Sequence, residues 1–352
     1  MEKGTVQLYE RQAALYAEKK PARHWAQADA FAPRCLPGLP VLDAGCGPGG
    51  YLRSLPRPAV ALDAAVAMLE LTRAAAPDAL LVQADLEALP FRDRAFGGAW
   101  ARNTYLHVAR TRFPLAMARL HWALAPGAPL ELSVATGDEE GVWDGGDMPG
   151  RFFVHWQPDM LRELVLGAGF EDVEVTEVED DTWARGRRAR TLPDTVGPGM
   201  RLLVCGLNPS LVAADAGFGF AGPTNRFWPV AVEAGLVTRP RDPLHALLVD
   251  GVGMTDLVKR ATPRASLLSA GEYRSGAERV RRLVAWLRPG AVLFVGLEGW
   301  RAAVDRRAVA GAQPHGFGGV PAYVMPSTSG LNARTARAEL VAHVRAACAL
   351  AG

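Results

Sequence analysis

A short apolar run that breaks at a glycine and leads into a turn occurs twice in this chain, far apart. The first is Val41-Leu42-Asp43-Ala44-Gly45-Cys46-Gly47-Pro48-Gly49-Gly50, and the second is Leu202-Leu203-Val204-Cys205-Gly206-Leu207-Asn208-Pro209. Each reads as a buried strand ending in a tight turn, and an α/β sheet presents ligands at the carboxyl ends of such strands. Two such starts in 352 residues call for two sheets and two domains of ordinary size. With 49% hydrophobic residues there is material for two cores.

Charge divides along the same line. Residues 1–189 carry 20 Lys and Arg against 26 Asp and Glu, a net of −6, and residues 190–352 carry 19 against 11, a net of +8. A basic second half is the footprint of a nucleic-acid binder, whereas the acidic first half disfavours DNA as its own substrate. No apolar run is long enough to span a membrane, and Met1–Gln12 lacks a signal peptide, so a soluble cytoplasmic protein with no membrane partner is expected. Cys35, Cys46, Cys205 and Cys348 are scattered without Cys-x-x-Cys spacing, so no metal site is expected.

In the first half, residues 7–31 read as helical. The glycine loop follows, with a helix expected to begin near Tyr51. Val60–Asp63 is a second strand ending in a carboxylate. Leu80–Asp85 forms a third, Phe96–Trp100 a fourth and Leu130–Ala135 a fifth, with helices over 64–76 and 112–124. Alternation of this kind predicts a parallel sheet with right-handed crossovers. The loop Asp43-Ala44-Gly45-Cys46-Gly47-Pro48-Gly49, with Asp63 and Asp85 behind it and Phe153-Val154-His155-Trp156 and Ala168-Gly169-Phe170 further on, resembles the class I S-adenosylmethionine-dependent methyltransferases over roughly residues 9–179. The resemblance implies S-adenosylmethionine as cofactor, with Asp43, Gly45, Gly47 and Gly49 in the binding loop, Asp63 at the ribose and Asp85 at the adenine. A dinucleotide-binding domain is the competing reading, but its Gly-x-Gly-x-x-Gly spacing is absent.

The acceptor is less defined. Ala101-Arg102-Asn103-Thr104-Tyr105 after the fourth strand lacks the prolines of enzymes that methylate base amines, and no Pro-Cys nucleophile for cytosine C5 occurs. A small molecule is therefore the expected acceptor. Tyr105, His107, His155 and Trp156 are candidates for its pocket, either histidine serving as general base. Each histidine is equally readable as a buried, hydrogen-bonded side chain with no catalytic role. Residues 1–180 are taken as this domain. Residues 181–199, with Pro, Gly and the run Arg185-Gly186-Arg187-Arg188-Ala189-Arg190, are taken as a linker whose arginines reach phosphates or simply solvent.

The second domain, residues 200–352, is again α/β, with further strands over 292–295 and 322–325 and helices over 227–234, 277–287 and 334–350. Gly206-Leu207-Asn208-Pro209, Phe220, Pro223-Thr224-Asn225-Arg226-Phe227-Trp228, Gly253-Met254-Thr255-Asp256-Leu257-Val258-Lys259-Arg260 and Pro326-Ser327-Thr328-Ser329-Gly330-Leu331-Asn332 together resemble the mismatch-specific branch of the uracil-DNA glycosylase superfamily. The resemblance implies an α/β/α fold and removal of uracil or thymine opposite guanine in double-stranded DNA, with no cofactor for this domain. Asn208 falls where the family holds the attacking water and Phe220 where it stacks the base. Backbone near Leu207 and Phe220 would bind the base oxygens, Ser329, Gly330, Leu331 and Asn332 would form the wedge, and Arg334 would contact phosphate. Ser210, Ser327-Thr328 and the one-residue offset of Arg334 depart from the commoner pattern. Asn225 and Arg226 read equally well as caps of the following helix.

The expected whole is a DNA repair glycosylase fused to a methyltransferase, a bifunctional enzyme. Two rivals stay open. One is a small-molecule methyltransferase whose second domain only binds DNA, and the other is a first domain that senses cofactor without catalysis.

Overall fold

The computed structural model describes residues 1–19 and 22–352. It divides into two compact units, residues 1–189 and 190–352. Each is built on its own sheet.

In the first unit the strands are β1 (Val41–Ala44), β2 (Ala59–Asp63), β3 (Leu80–Gln83), β4 (Gly98–Arg102), β5 (Pro129–Thr136), β6 (Glu140–Trp143), β7 (Arg151–Trp156), β8 (Phe170–Val178) and β9 (Asp181–Arg188). The order β3-β2-β1-β4-β5 is parallel throughout, with the crossover order reversing at β1/β4. β1 is buried at every position, as an apolar run covered on both faces by helices must be. Because parallel strands present ligands where the order reverses, the loop after β1 is the natural site. The core gathers Trp100, Tyr51, Phe31 and Trp183 in successive tilted ring contacts.

Three local expectations are corrected. The helical reading of residues 7–31 resolves into helices Lys3–Lys19 and Trp25–Phe31, and the stretch between them includes Lys20 and Pro21, which lie outside the described residues. Residues 50–54 form turns, with no helix starting at Tyr51, whose ring is packed into the core and whose hydroxyl donates to the Arg23 carbonyl at 2.6 Å. The expected linker over 181–199 contains β9, antiparallel to both β5 and β8. Its arginines alternate: Arg185 pairs with Glu174 and Arg187 with Asp172 on the exposed face, whereas Arg188 is buried and donates to the His121 carbonyl. The period-2 pattern was present in the sequence, but a count of arginines hides it.

In the second unit β10 (Leu202–Gly206), β11 (Val252–Asp256), β12 (Ala291–Val295) and β14 (Val320–Met325) are parallel, in the order β11-β10-β12-β14, and β13 (Gly311–Phe317) closes the edge antiparallel to β14. β10 is central and wholly buried. The helices Phe227–Glu233 and Arg337–Leu350 pack one face of this sheet through Phe227, Trp228, Leu340 and Val344. Helix Ala270–Leu287 opens with a reciprocal Ser269–Glu272 capping box. The rest of the expected linker belongs to this unit. Thr195 bridges Met254, and Asp194 accepts hydrogen bonds from Thr255 Oγ1 at 2.6 Å, Lys259 Nζ at 2.9 Å and Arg279 Nη1 at 2.5 Å. Burial alone would raise the Asp194 carboxyl, but the Arg279 guanidinium and Lys259 ammonium hold it below the usual carboxylate range.

Candidate functional sites

The first site lies at the carboxyl ends of β1, β2 and β4. A cavity of about 480 Å³ is lined by Asp43, Gly45, Gly47, Arg102, Asn103 and His107 among others, and a pocket of about 50 Å³ beside it adds Asp63. Positive φ at Gly45 and Gly47 turns the chain sharply here, and a side chain on Gly45 would overlap Thr104. Gly47 donates its N–H to Asp63 Oδ2 at 2.9 Å, and Ala65 donates to Oδ1 at 2.9 Å, so the Asp63 carboxylate knits β2 to the glycine loop.

Asp43 is 1% exposed, and its Oδ2 has no partner among the described residues. Burial, reinforced by the Asp63 charge, pushes its carboxyl up to about 8. A buried acid with an open lone pair in a cavity suits a ligand that carries a cationic donor. Gly49 differs from its two neighbours: the atom a side chain would add meets Thr72, so this glycine serves loop-to-helix packing. Asp85 is not brought to the cavity. Its carboxylate is held by the Met1 ammonium at 2.7 and 2.8 Å, beside a separate surface groove.

Of the acceptor-pocket candidates, only His107 lines the cavity. Its Nδ1–H donates to the Phe152 carbonyl at 2.7 Å, which makes Nε2 the acceptor for the Tyr9 hydroxyl at 2.8 Å. Burial holds it down to about 4, so it is a neutral, doubly bonded imidazole. Tyr105 is fully buried against Phe113, and burial raises its hydroxyl far above the ordinary value. His155 sits beside Glu139 and Trp156 lies in the core, neither lining the cavity. Those three assignments are corrected: the 3-10 turn at 105–107 sends Tyr105 inward, and alternation along β7 buries Trp156.

Tyr9, Tyr16, Asn103, Arg151 and Asp181 line the cavity and were not singled out from the sequence. Asn103 takes a left-handed backbone (φ 51°) at the end of β4, and its amide donates to both Asp181 oxygens at 3.2 Å. A non-glycine residue in that conformation directly after a central strand is a structural signal that sequence alone does not carry.

The second site sits at the carboxyl ends of β10, β11 and β14. The Asn208 amide nitrogen donates to the Arg260 carbonyl at 2.9 Å and to Thr262 Oγ1 at 2.8 Å. Both hydrogens are thereby engaged, and Oδ1 is the remaining polar atom, an acceptor only. Phe220, in a left-handed backbone at φ 59°, stacks one ring face on Phe227 with centroids 4.0 Å apart and planes 23° off parallel. It is half-buried. Leu207, also half-buried, is fixed through its carbonyl, which accepts from the Val258 N–H at 2.9 Å.

The segment 327–335 forms a loop stiffened by its own polar groups. Ser329 Oγ accepts from the Leu331 N–H at 3.3 Å, and Asn332 Nδ2 donates to the Ser327 carbonyl at 2.8 Å and to Thr335 Oγ1 at 3.0 Å. Arg226 donates to the carbonyls of Asn332 and Thr335 at 2.6 and 2.7 Å. Asn225 Oδ1 accepts from Thr328 Oγ1 and from the Phe227 N–H, both at 2.9 Å, so Asn225 both caps its helix and braces the loop. Gly330 packs so closely on Thr224 that no side chain fits. Leu331 is 97% exposed. Arg334 is exposed in the same loop, before the helix that starts at Arg337.

Comparison with known proteins follows this division. Residues 41–127 match the model of a methyltransferase domain family, and residues 193–349 match the uracil DNA glycosylase superfamily. Among solved structures, the DhpI-SAM-HEP complex is 21% identical, with a TM-score of 0.43 over 53% of this chain and 99% of that one. The Burkholderia thailandensis 1,6-didemethyltoxoflavin-N1-methyltransferase is 20% identical, with a TM-score of 0.40 over 52% and 85%. An S-adenosylmethionine dependent methyltransferase from Mesorhizobium loti is 20% identical, with a TM-score of 0.39 over 47% and 98%. No helix among the described residues is long and apolar enough to cross a membrane. The chain therefore joins a methyltransferase domain to a domain of the uracil DNA glycosylase superfamily in one polypeptide.

Proposed function

We propose that the second domain excises uracil, or thymine, opposite guanine from duplex DNA by hydrolysis of the N-glycosidic bond. The observation that carries this reading is the engagement of both Asn208 amide hydrogens, which leaves Oδ1 as the acceptor for water. Departure of the base leaves an oxocarbenium-like C1′ and a delocalised pyrimidine anion. A water oriented by Oδ1 adds to the sugar, and a base stacked on the free face of Phe220 has backbone donors near Leu207 and Phe220 for its oxygens. An amide orients water without taking its proton, so the reaction is slow compared with one using a carboxylate. Leu331 fills the gap left by the extruded base, while Ser329, Gly330 and Asn332 hold its loop and Arg334 meets phosphate.

The first domain is proposed to bind S-adenosylmethionine and methylate a small molecule. The open Asp43 oxygen fits the cofactor's ammonium, Gly47 leaves room beside Tyr16 for its methionine moiety, and Asp63 lies at the pocket suited to its ribose. The bound cofactor supplies an electrophilic methyl group. Around it, Tyr9, Tyr16 and the Arg102–Asn103–Asp181 cluster exclude water and orient the acceptor, and neutral His107 fixes the Tyr9 hydroxyl. The boundary between the two domains is proposed to fall at residues 189–190.

Excision of uracil from an end-labelled G·U duplex, run beside methyl transfer from labelled cofactor, tests both halves. Cleavage after alkali at the uracil, lost in Asn208→Ala, is the expected result. Duplex binding without cleavage by the unmutated protein would leave the second domain as a DNA-binding module.

A further inference from the structure

We propose that the methyl acceptor of the first domain is a small carboxylic acid, and that the guanidinium of Arg151 receives its carboxylate. This rests on the methyltransferase reading above and adds the chemical class of the acceptor and the residue that selects it.

Arg151 opens β7 and is paired across the β6–β7 hairpin with Trp143. It is 8% exposed and lines the cavity of about 480 Å³. Its Nε–H donates to the Met148 carbonyl at 3.0 Å, in the turn of the same hairpin, and Nη1 reaches the Tyr9 hydroxyl at 3.4 Å. The guanidinium carbon lies 5.0 Å from the centre of the Phe153 ring, so the group is held in place before any ligand arrives. A guanidinium carries five N–H donors. Two are used here, and the others, including both on Nη2, meet no acceptor among the described residues. No described carboxylate forms an ion pair with it.

The acids that share the cavity are engaged elsewhere or exposed. Asp63 accepts from the backbone of Gly47 and Ala65, and Asp181 accepts from Asn103 and Arg102. Glu179 and Asp180 are exposed, and Asp43 is pushed up by burial and by Asp63. Tyr9 does not act as the counter-ion. Burial raises its hydroxyl far above the ordinary value in spite of Arg151, and that hydroxyl donates to His107. A buried cation with no anion of its own is costly until a ligand supplies one.

Position assigns that ligand to the acceptor. Arg23 and Arg102 stand on the glycine-loop side, Arg23 through backbone bonds to the Tyr51 hydroxyl and Arg102 over the Tyr51 ring at 5.9 Å. They are at hand for the cofactor's own carboxylate. Arg151 stands with Tyr9, His107 and Phe153 instead. Charge then selects a carboxylate over a phosphate. One guanidinium among rings and a neutral imidazole balances one negative charge, which a carboxylate brings on two oxygens that match the fork. A phosphate monoester brings about 1.5 to 2.

The test uses the full chain with S-adenosylhomocysteine and three probes that share a ring and differ in charge: benzoate, benzamide and phenylphosphonate. Ligand-observed NMR ranks the probes, and calorimetry measures S-adenosylhomocysteine separately. Benzoate is expected to bind at least about tenfold tighter than benzamide, the scale of one charge-assisted hydrogen bond, and tighter than phenylphosphonate. Arg151→Gln should erase the preference for benzoate and Arg151→Lys should keep part of it, while both bind S-adenosylhomocysteine within about twofold of the parent. That unchanged affinity also shows that the variants fold. Should Arg151→Gln not fold, Arg151→Lys and the parent's ranking of the probes decide. Equal binding of acid and amide, binding of neither, or preference for phenylphosphonate overturns the proposal. So does weaker S-adenosylhomocysteine binding by Arg151→Gln with the benzoate preference intact, which gives Arg151 to the cofactor. An Arg151-dependent preference for benzoate in a chain that does not bind S-adenosylhomocysteine would sink the methyltransferase reading and keep the acid site. Methyl transfer from labelled cofactor to amides and not to the matched acids would do the reverse.

Discussion

Arg226 donates to the carbonyl oxygen of Asn332 at 2.6 Å, one residue beyond Leu331. The helix that supports Phe220 through Phe227 therefore begins at the residue that holds the exposed leucine in place. The two side chains proposed to stack the base and fill the gap are thus tied to one element.

Leu331→Ala should lower both binding to a G·U duplex and excision from it, while excision from single-stranded uracil DNA, which needs no plug, changes little. Arg226→Ala should give the same signature more weakly, about tenfold on duplex, because it frees the loop without removing the leucine. Gel-shift and excision assays on the two substrates check this. Equal losses on single and double strands would point to misfolding.

Asn208→Ala should leave duplex binding within about twofold and reduce excision by at least ~10²-fold, the scale of one positioned catalytic group. Single-turnover rates at saturating protein measure it. Excision at the parental rate would remove Asn208 from the mechanism.

Asp43 offers a calorimetric test. Its carboxyl sits at about 8 before ligand binds, and a cationic ammonium beside it lowers that value. S-adenosylmethionine binding at pH 7 should then release close to one proton, and affinity should strengthen as pH rises toward 8. Binding enthalpies in phosphate and Tris buffers report the proton count. Asp43→Asn should abolish the difference, and Asp63→Ala should weaken binding by ~1.5–3 kcal/mol. No proton release by the parent would place the ammonium elsewhere.

Asp194→Ala should destabilise the second unit by about 3 kcal/mol or more, since it strands Arg279 and Lys259 without their anion. The folded carboxyl lies below its unfolded value, so this contribution is complete above the unfolded pKa, near pH 4, and fades as pH falls through the folded one. Urea midpoints at pH 7 and below pH 4 should show the gap between parent and variant narrowing in acid. A fragment beginning at residue 195 should show the same loss, whereas one beginning at 190 should not.

What was legible in the sequence followed from local patterns. The buried strands Val41–Ala44, Ala59–Asp63, Leu202–Gly206 and Ala291–Val295 are short apolar runs bounded by Gly, Asp or Pro, and the helix at 113–123 keeps its period. Asn208, Phe220 and Leu331 are grouped as a proposed set only through the order in which their segments occur. Tyr105 points inward because a 3-10 turn decides its direction, and nothing in Thr104-Tyr105-Leu106 announces one. Tyr9, Arg151 and Asp181 reach the cavity from elements distant in sequence, and such convergence has no local signature. The strand at 181–188 reads as a tether in the sequence because arginines on alternate positions look like a charge run until their partners, Glu174 and Asp172, lie across from them.

The anchoring of Asn208 also limits what evolution can do with this site. Replacing the amide by a carboxylate would supply a stronger base, yet it would set an oxygen where the nitrogen now meets the Arg260 carbonyl at 2.9 Å. Two acceptors facing each other at that distance repel, so the acid would turn away from the water or take up a proton and lose its basicity. Under the proposed function, a faster enzyme therefore needs the backbone at residues 260–262 to move together with the substitution at residue 208.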